Sequence, residues 1–371
     1  MNFVDLFCGA GGLSCGLEMA GHKCLLGVDF NKDAIETFRR NHPLASAIQG
    51  DISGLTNSAI AQGVGLEVVD MVVGGPPCQG FSTIGKGAAN DKRNQLFLEF
   101  VRIVKFLNPK IVIFENVTGL LAKKNAKVLK AIFAQFEKLG YSMDARVLNA
   151  RHFGVAQMRK RVIIIGTKKV GAPNFPRITH GIEVGKNYFM VGDAFAPIGR
   201  TECPKNHNVK DAEIKNSLDK KRLRLIPEGC GVRYKEDEEN YWPKSLRYGH
   251  DWAALKEGRL REARYQRLHR QRPSFTIMTS KNSYYHPTLD RHLTAREAAC
   301  IQGFPMEFEF FGSVTSQFKQ IGNAVPPLLG YNLGLVAGEI LAMPCPVEKF
   351  VRNIDFEFAA FDYRQDPGGV R

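Results

Sequence analysis

With 44 % hydrophobic and 24 % charged residues over 371 positions, the chain has the balance of a soluble globular protein large enough for a sizeable core. Its 51 Lys+Arg outweigh 37 Asp+Glu, and the formal charge of +14 points to a polyanionic partner, most simply nucleic acid. No run of eighteen or more apolar residues occurs, so the sequence offers no membrane-spanning segment. The eight cysteines form no CxxC pair and no signal peptide precedes NFVDLF, which starts at residue 2; both fit an intracellular, cytoplasmic protein with reduced thiols. Cys203 and His207 lack the second pair that a structural metal site needs, so no metal is expected.

From the N-terminus, short apolar runs alternate with helical patterns. FVDLF, KCLLGVDF, MVVGG, KIVIFENV and RVIIIGT read as buried strands of a parallel sheet. LSCGLEMAG, NKDAIETFRRNH, NQLFLEFVRIVKFLN and NAKVLKAIFAQFEKLG read as the helices between them. The alternation predicts an α/β, doubly wound, mostly parallel sheet over residues 1–171, with ligands at the strand carboxyl ends. Residues 172–290 then turn irregular, rich in Pro, Gly, Tyr and Arg, as a smaller second domain would be. This stretch contains KEDEEN, read as a solvated loop, and RLREARYQRLHRQR, six arginines with one acid. The rhythm returns over 291–345, where QIGNAVPP reads as a loop feeding a C-terminal helix, and 346–371 form a tail without a readable pattern.

Chemistry-bearing residues fall at the predicted strand ends. DLFCGAGGLS is a strand, a glycine turn and a helix start, a common nucleotide-binding pattern. Asp29 ends the second strand, where an acid accepts from ribose hydroxyls, and Asp51 ends a third, within reach of an adenine amino group. Either acid alone reads more often as a helix cap or loop residue; together they suggest an adenosine-type pocket. In GGPPCQGFS two prolines precede the lone Cys78, a frame that suits a fixed nucleophile better than a core thiol. Glu115 closes the apolar strand IVIFENV, where partial desolvation raises a carboxyl pKa toward neutrality. Arg159 and Arg161 in QMRKR lie two apart and so share one face of a strand.

In this order, DLFCGAGG, GGPPCQGFS, FENV, QMRKR, RHLTAREAACIQGFP and QIGNAVPP resemble the successive motifs of the DNA cytosine-5 methyltransferases, and the resemblance covers most of the chain. It implies the S-adenosylmethionine-dependent methyltransferase fold, with a target-recognition region in the irregular insert. It implies transfer of the methyl of S-adenosyl-L-methionine to C5 of a flipped-out cytosine in duplex DNA, with no metal. Cys78 would be the nucleophile at C6, Glu115 the partner of N3 and the amino group, and Arg161, with Arg159, the partner of O2. For the methyl donor the resemblance implies Phe7 and Phe30 against adenine, Gly9 and Gly11 along the methionine, and Asp29 on the ribose. Asp51 and Ile52 would meet the adenine edge, with Pro77, Leu96 and Asn323 as further walls.

The segment after Cys78, GFSTIGKGAANDKR, is expected to close over DNA, with Ser82, Lys86, Lys92 and Arg93 near phosphates. Arg264, Arg267 and Arg270 are the expected DNA contacts of the insert. The resemblance also leaves room for a separately acting restriction endonuclease, and a monomer is the default. Three other readings stay open on sequence: an RNA cytosine-5 methyltransferase of the same architecture, a dinucleotide-dependent oxidoreductase drawn from GAGG and Asp29 alone, and a non-catalytic DNA-binding regulator.

Overall fold

The structure is a computed structural model that describes residues 1–76, 92–122, 125–169 and 171–343, with the backbone alone for 92–95. Seven strands form one sheet: β1 (Asn2–Leu6), β2 (Lys23–Asp29), β3 (Ser46–Gln49), β4 (Met71–Gly74), β5 (Ile111–Asn116), β6 (Ser142–Asn149) and β7 (Lys160–Thr167). Their spatial order is β3-β2-β1-β4-β5-β7-β6. The first five run parallel, whereas β7 lies antiparallel to both β5 and β6.

Both faces of the sheet are buried, so successive residues of a strand enter different cores. Val4 and Leu6 face one core with Val72, Val112, Phe114 and Ile164. That side is covered by α3 (Asn57–Val64), α4 (Lys92–Leu107) and α5 (Ala126–Glu137). Its centre is aromatic: Phe114 stacks on Phe136 at 5.6 Å, and Phe100 meets Phe114 edge-on at 5.7 Å. Truncating any of these rings to Ala would cost about 3–5 kcal/mol.

The other face carries Phe3, Met71, Val73, Ile111 and Ile113. It is covered by α1 (Gly12–Met19), α2 (Lys32–Asn41) and the last described helix, named α11 below. A Cβ at Gly12 would collide with the Val325 carbonyl, and one at Gly16 with the Pro327 carbonyl. Only glycine permits this approach of α1 to the C-terminal segment.

Further elements follow β7: α6 (Val191–Phe195), α7 (Ser217–Arg224), β8 (Val232–Tyr234), α8 (Lys235–Tyr241), β9 (Arg259–Arg264), α9 (Ala295–Ile301), α10 (Val314–Asn323) and α11 (Pro327–Ala342). β8 and β9 pair antiparallel over a second, smaller core of Leu223, Ile226, Val232, Trp242, Trp252 and Tyr265. Residues 314–342 are apolar enough by composition to cross a membrane. They are broken between α10 and α11, and Leu329, Leu333, Val336 and Ile340 pack into the sheet core.

Four local expectations are corrected. RVIIIGT is antiparallel, not parallel, and it pairs with SMDARVLN, a strand that the alternation did not reveal. KEDEEN is a helix whose Glu238 is buried, accepting from Tyr248 N and from Trp252 Nε1 at 2.8 Å. QIGN is not a loop but the end of α10. The helix α3, with Ile60 and Val64 buried, was also not foreseen.

Candidate active site

The carboxyl ends of β1, β2 and β3 make one side of the site. After β1 the backbone turns through positive φ at Phe7 (63°), Gly9 (54°) and Gly11 (90°). A Cβ on Gly11 would run into the His42 ring, so the turn depends on glycine there. Asp29 stabilises this turn from the end of β2. One carboxylate oxygen accepts from Gly9 N at 2.9 Å and the other from Asn31 N at 2.8 Å, while Asn31 caps α2 through Ala34 N. Burial raises the Asp29 pKa and these backbone donors pull it back. With the Phe30 backbone also donating, the carboxylate keeps a lone pair for one further donor.

Next to it, Phe30 is 72 % exposed, an aromatic face at the mouth of the site. Ile52 is buried, and Asp51 accepts from Ser53 N and Oγ at 3.0 and 2.8 Å, capping a short 3-10 turn. Leu96 packs against the sheet core below α4. Beneath the glycine turn, Ser14 Oγ donates to Asp5 Oδ2 at 2.6 Å, and both residues are fully enclosed. Burial pushes the Asp5 carboxyl up to about 7.

The ends of β4, β5 and β7 make the other side. Arg161 Nε lies 2.7 Å from Glu115 Oε1, with both side chains nearly buried. Burial raises the Glu115 pKa, and Arg161 and then Arg159 pull it back. Arg159 is 1 % exposed and donates from Nη2 to the Gly322 carbonyl at 2.9 Å. Its Nε and Nη1 are buried without a partner among the described residues. Burial, then the neighbouring Arg161, pushes its pKa down to about 9, which leaves the guanidinium charged at neutral pH.

The chain arrives here from β4. A Cβ on Gly75 would stand 3.7 Å from Glu115 Oε2, and Asn116 Nδ2 donates to the Pro76 carbonyl at 2.9 Å. Cys78, Pro77, Ser82 and Lys86 lie outside the described residues, as do the side chains of Lys92 and Arg93. Asn323, the last residue of α10, is exposed beside the Gly322 that Arg159 holds.

Buried amides fix the register of these pieces. Gln157 donates to Gln302 Oε1 and accepts from Ile277 N at 2.8 Å. Gln302 donates to the carbonyls of Ile321 and Ala324 at 2.9 and 3.0 Å. Sequence reasoning missed Asn116, Gln157 and Gln302 as positioning residues. Asn116 and Gln302 showed only as polar side chains in apolar runs, and Gln157 was masked by the cationic residues of QMRKR.

The three arginines expected to touch DNA have three different settings. Arg264 is exposed. Arg270 is exposed but held by Glu228, with Nε 3.1 Å from Oε1. Arg267 is 4 % exposed and donates to the carbonyls of Leu223, Ile226, His286 and Leu289 and to Asp290. With all three guanidinium nitrogens committed inside the second core, Arg267 is a structural residue, contrary to the phosphate contact expected of it. No group of three or more His, Cys, Asp or Glu among the described residues is placed to hold a metal.

The family model for C-5 cytosine-specific DNA methylase matches residues 1–338. The chain belongs to this family. It is therefore a methyltransferase acting on cytosine C5 in DNA, and the fold and enzyme class expected from its motifs stand. It is 36 % identical over 334 residues to the type II methyltransferase M1.HphI of Haemophilus parahaemolyticus, covering 89 % of this chain and 84 % of that one. To the type II methyltransferase M.DdeI of Desulfomicrobium norvegicum it is 32 % identical over 364 residues, covering 90 % and 87 %. Among solved structures, one described as a DNA modification methyltransferase encoded within an E. coli prophage aligns with a TM-score of 0.69 at 23 % identity, over 92 % of this chain and 99 % of that one. The Entamoeba histolytica methyltransferase EhMeth aligns with a TM-score of 0.64 at 16 % identity, over 92 % and 99 %. At these identities the two structures speak for the fold alone.

Proposed function

We propose that the enzyme transfers a methyl group from S-adenosyl-L-methionine to a flipped-out cytosine within one short duplex sequence, as the modification arm of a type II restriction–modification system. The observation that carries this reading is the Glu115–Arg161 pair, with the half-partnered Arg159 behind it, facing the chain that leaves β4 toward Cys78. The donor, when bound, supplies an electrophilic methyl.

The side chains at hand suit it. Phe30 offers an open aromatic face, Asp29 retains a lone pair for a ribose hydroxyl, Phe7 packs partly buried against the sheet core, and the glycines of the Phe7–Gly11 turn present backbone. Gly9, Gly11, Asp51, Ile52, Pro77, Leu96 and Asn323 complete the proposed donor site.

On the base, the Cys78 thiolate adds to C6 and the displaced electron pair makes C5 nucleophilic. Glu115 shares a proton with N3 as the ring takes up charge, a role that its burial-raised pKa favours. Arg161 already spends Nε on Glu115 and Nη1 on the Lys160 carbonyl, which leaves Nη2 for the cytosine O2. C5 then takes the methyl, its proton departs, and elimination of Cys78 frees 5-methylcytosine. The second core, within residues 172–290, is the proposed target-recognition domain, and the enzyme acts in the cytoplasm as a monomer.

The test is tritiated methyl transfer to plasmid DNA followed by bisulfite mapping. Label at cytosine within one recurring sequence, lost in Cys78→Ala with DNA binding retained, is the expected result. Label on transfer RNA instead of DNA, or full turnover by Cys78→Ala, would overturn the reading.

A further inference from the structure

A groove of about 550 Å³ opens in the second core, away from Glu115 and Asp29. One wall is β9 from Leu260 to Arg264, and the opposite wall is the turn carrying Asn282 and Ser283. Its floor is a rigid aromatic stack: Tyr265 lies 5.7 Å from Tyr285 and 6.4 Å from Tyr248, near-parallel to both. Trp242 closes the stack from beneath, edge-on to Tyr265 at 5.3 Å. Tyr265 also holds a positive φ of 50°, rare for an aromatic residue, and its hydroxyl donates to Asp219.

The charges of the run from Arg259 to Arg272 are sorted by partner. Arg259 pairs with Glu257, Arg267 with Asp290 and Arg270 with Glu228, all outside the groove wall or behind it. Arg261, Glu262 and Arg264 line the groove, are exposed, and form no ion pair with any described residue. Asn282 lines the same groove, is exposed, and its side-chain amide has no hydrogen bond among the described residues. A polyphosphate clamp would not place a free carboxylate among its cations. A base-reading surface would, because guanidinium, carboxylate and amide are the groups that match guanine O6/N7, the cytosine amino group and adenine N6/N7 in the major groove.

We propose that this groove reads base edges of the duplex target, with Arg261, Glu262 and Asn282 as specificity-determining residues on a floor held rigid by the tyrosine stack. The inference rests on the DNA-methyltransferase reading and goes beyond it by naming where the sequence is discriminated. Glu262 accepts from a cytosine amino group, so at least one G·C pair of the recognised sequence owes its identity to this carboxylate. Arg264, at the end of the same wall, serves the backbone or a neighbouring base.

The test is selection of duplexes from a randomised pool by the full chain with S-adenosylhomocysteine present. It is run on the wild type, Arg261→Ala, Glu262→Gln and Asn282→Ala, with thermal melts to show that each variant is folded. Wild type should enrich one motif. Each variant should relax one position of it, losing ~10- to 100-fold discrimination there while still binding duplex. Variants that enrich the unchanged motif with unchanged discrimination overturn the groove assignment and leave the enzyme reading intact. A folded wild type that enriches no duplex motif overturns the reading on which the assignment stands.

Discussion

Asn116 Nδ2 holds the Pro76 carbonyl at 2.9 Å, so the residue after Glu115 fixes the last described turn before Cys78. The acid and the approach to the thiol are thereby set by adjacent positions on one strand. Asn116→Ala removes that anchor without touching the Glu115–Arg161 pair. The expected outcome is a fall in kcat of about ten- to a hundredfold with donor affinity unchanged. Single-turnover methylation and donor titration separate the two quantities.

Glu115→Gln keeps the size of the side chain and removes its charge. Loss of proton sharing with N3 should lower kcat by roughly 10²-fold or more. The variant also leaves Arg161 without a buried anion, so it should not gain stability at neutral pH. Steady-state rates beside thermal melts check both parts.

Asp5 carries a pH signature. Its pKa in the folded protein is raised to about 7, chiefly by burial, so the native state binds a proton that the unfolded chain has released. Stability therefore falls as pH rises from the ordinary aspartate range toward about 7, and this loss is complete above it. Asp5→Asn can still accept from Ser14 and has no charge to bury. It should melt higher than wild type at pH 8 and show a smaller advantage at pH 5. Equal differences at both pH values would contradict the assignment.

Arg267 and Arg264 should separate cleanly. Arg267→Ala strips four carbonyls and Asp290 of their donor and should cost about 3 kcal/mol of stability. Arg264→Ala should change stability by less than about 0.5 kcal/mol while weakening DNA binding. Chemical denaturation and DNA titration at two salt concentrations measure the two effects.

Phe30 contributes little to the core, since most of its ring is open. Phe30→Ala should leave the melting temperature unchanged and weaken donor binding roughly tenfold through lost stacking. Calorimetric titration with S-adenosylhomocysteine reads the change.

The parallel half of the sheet was legible because its buried strands are short apolar runs closed by a polar residue or a glycine, as at Asp29, Gly74 and Glu115. The antiparallel edge was not. SMDARVLN mixes Asp144 and Arg146 into its middle, and only tertiary packing makes it a strand. Charge density likewise marked residues 259–272 as a basic run but carried no information on which arginine turns inward. Arg264 and Arg267 are alike in sequence and differ only in whether Leu223, Ile226 and Asp290 come to meet them. Glu238 misled for the same reason: an acidic run reads as solvated unless its buried partners, Tyr248 and Trp252, are known.

The glycine-mediated contact of α1 with α11 joins the first described helix to the last described one. Leu13 and Leu17 share a core with Leu329, Leu333 and Val336, some three hundred residues downstream. A chain made only as far as β7 therefore leaves that face of Leu13 and Leu17 uncovered beside the Phe7–Gly11 turn. A copy cut before Pro327 lacks α11's part of the cover on one sheet face, so the two ends of the described fold must be present together for either to be stable.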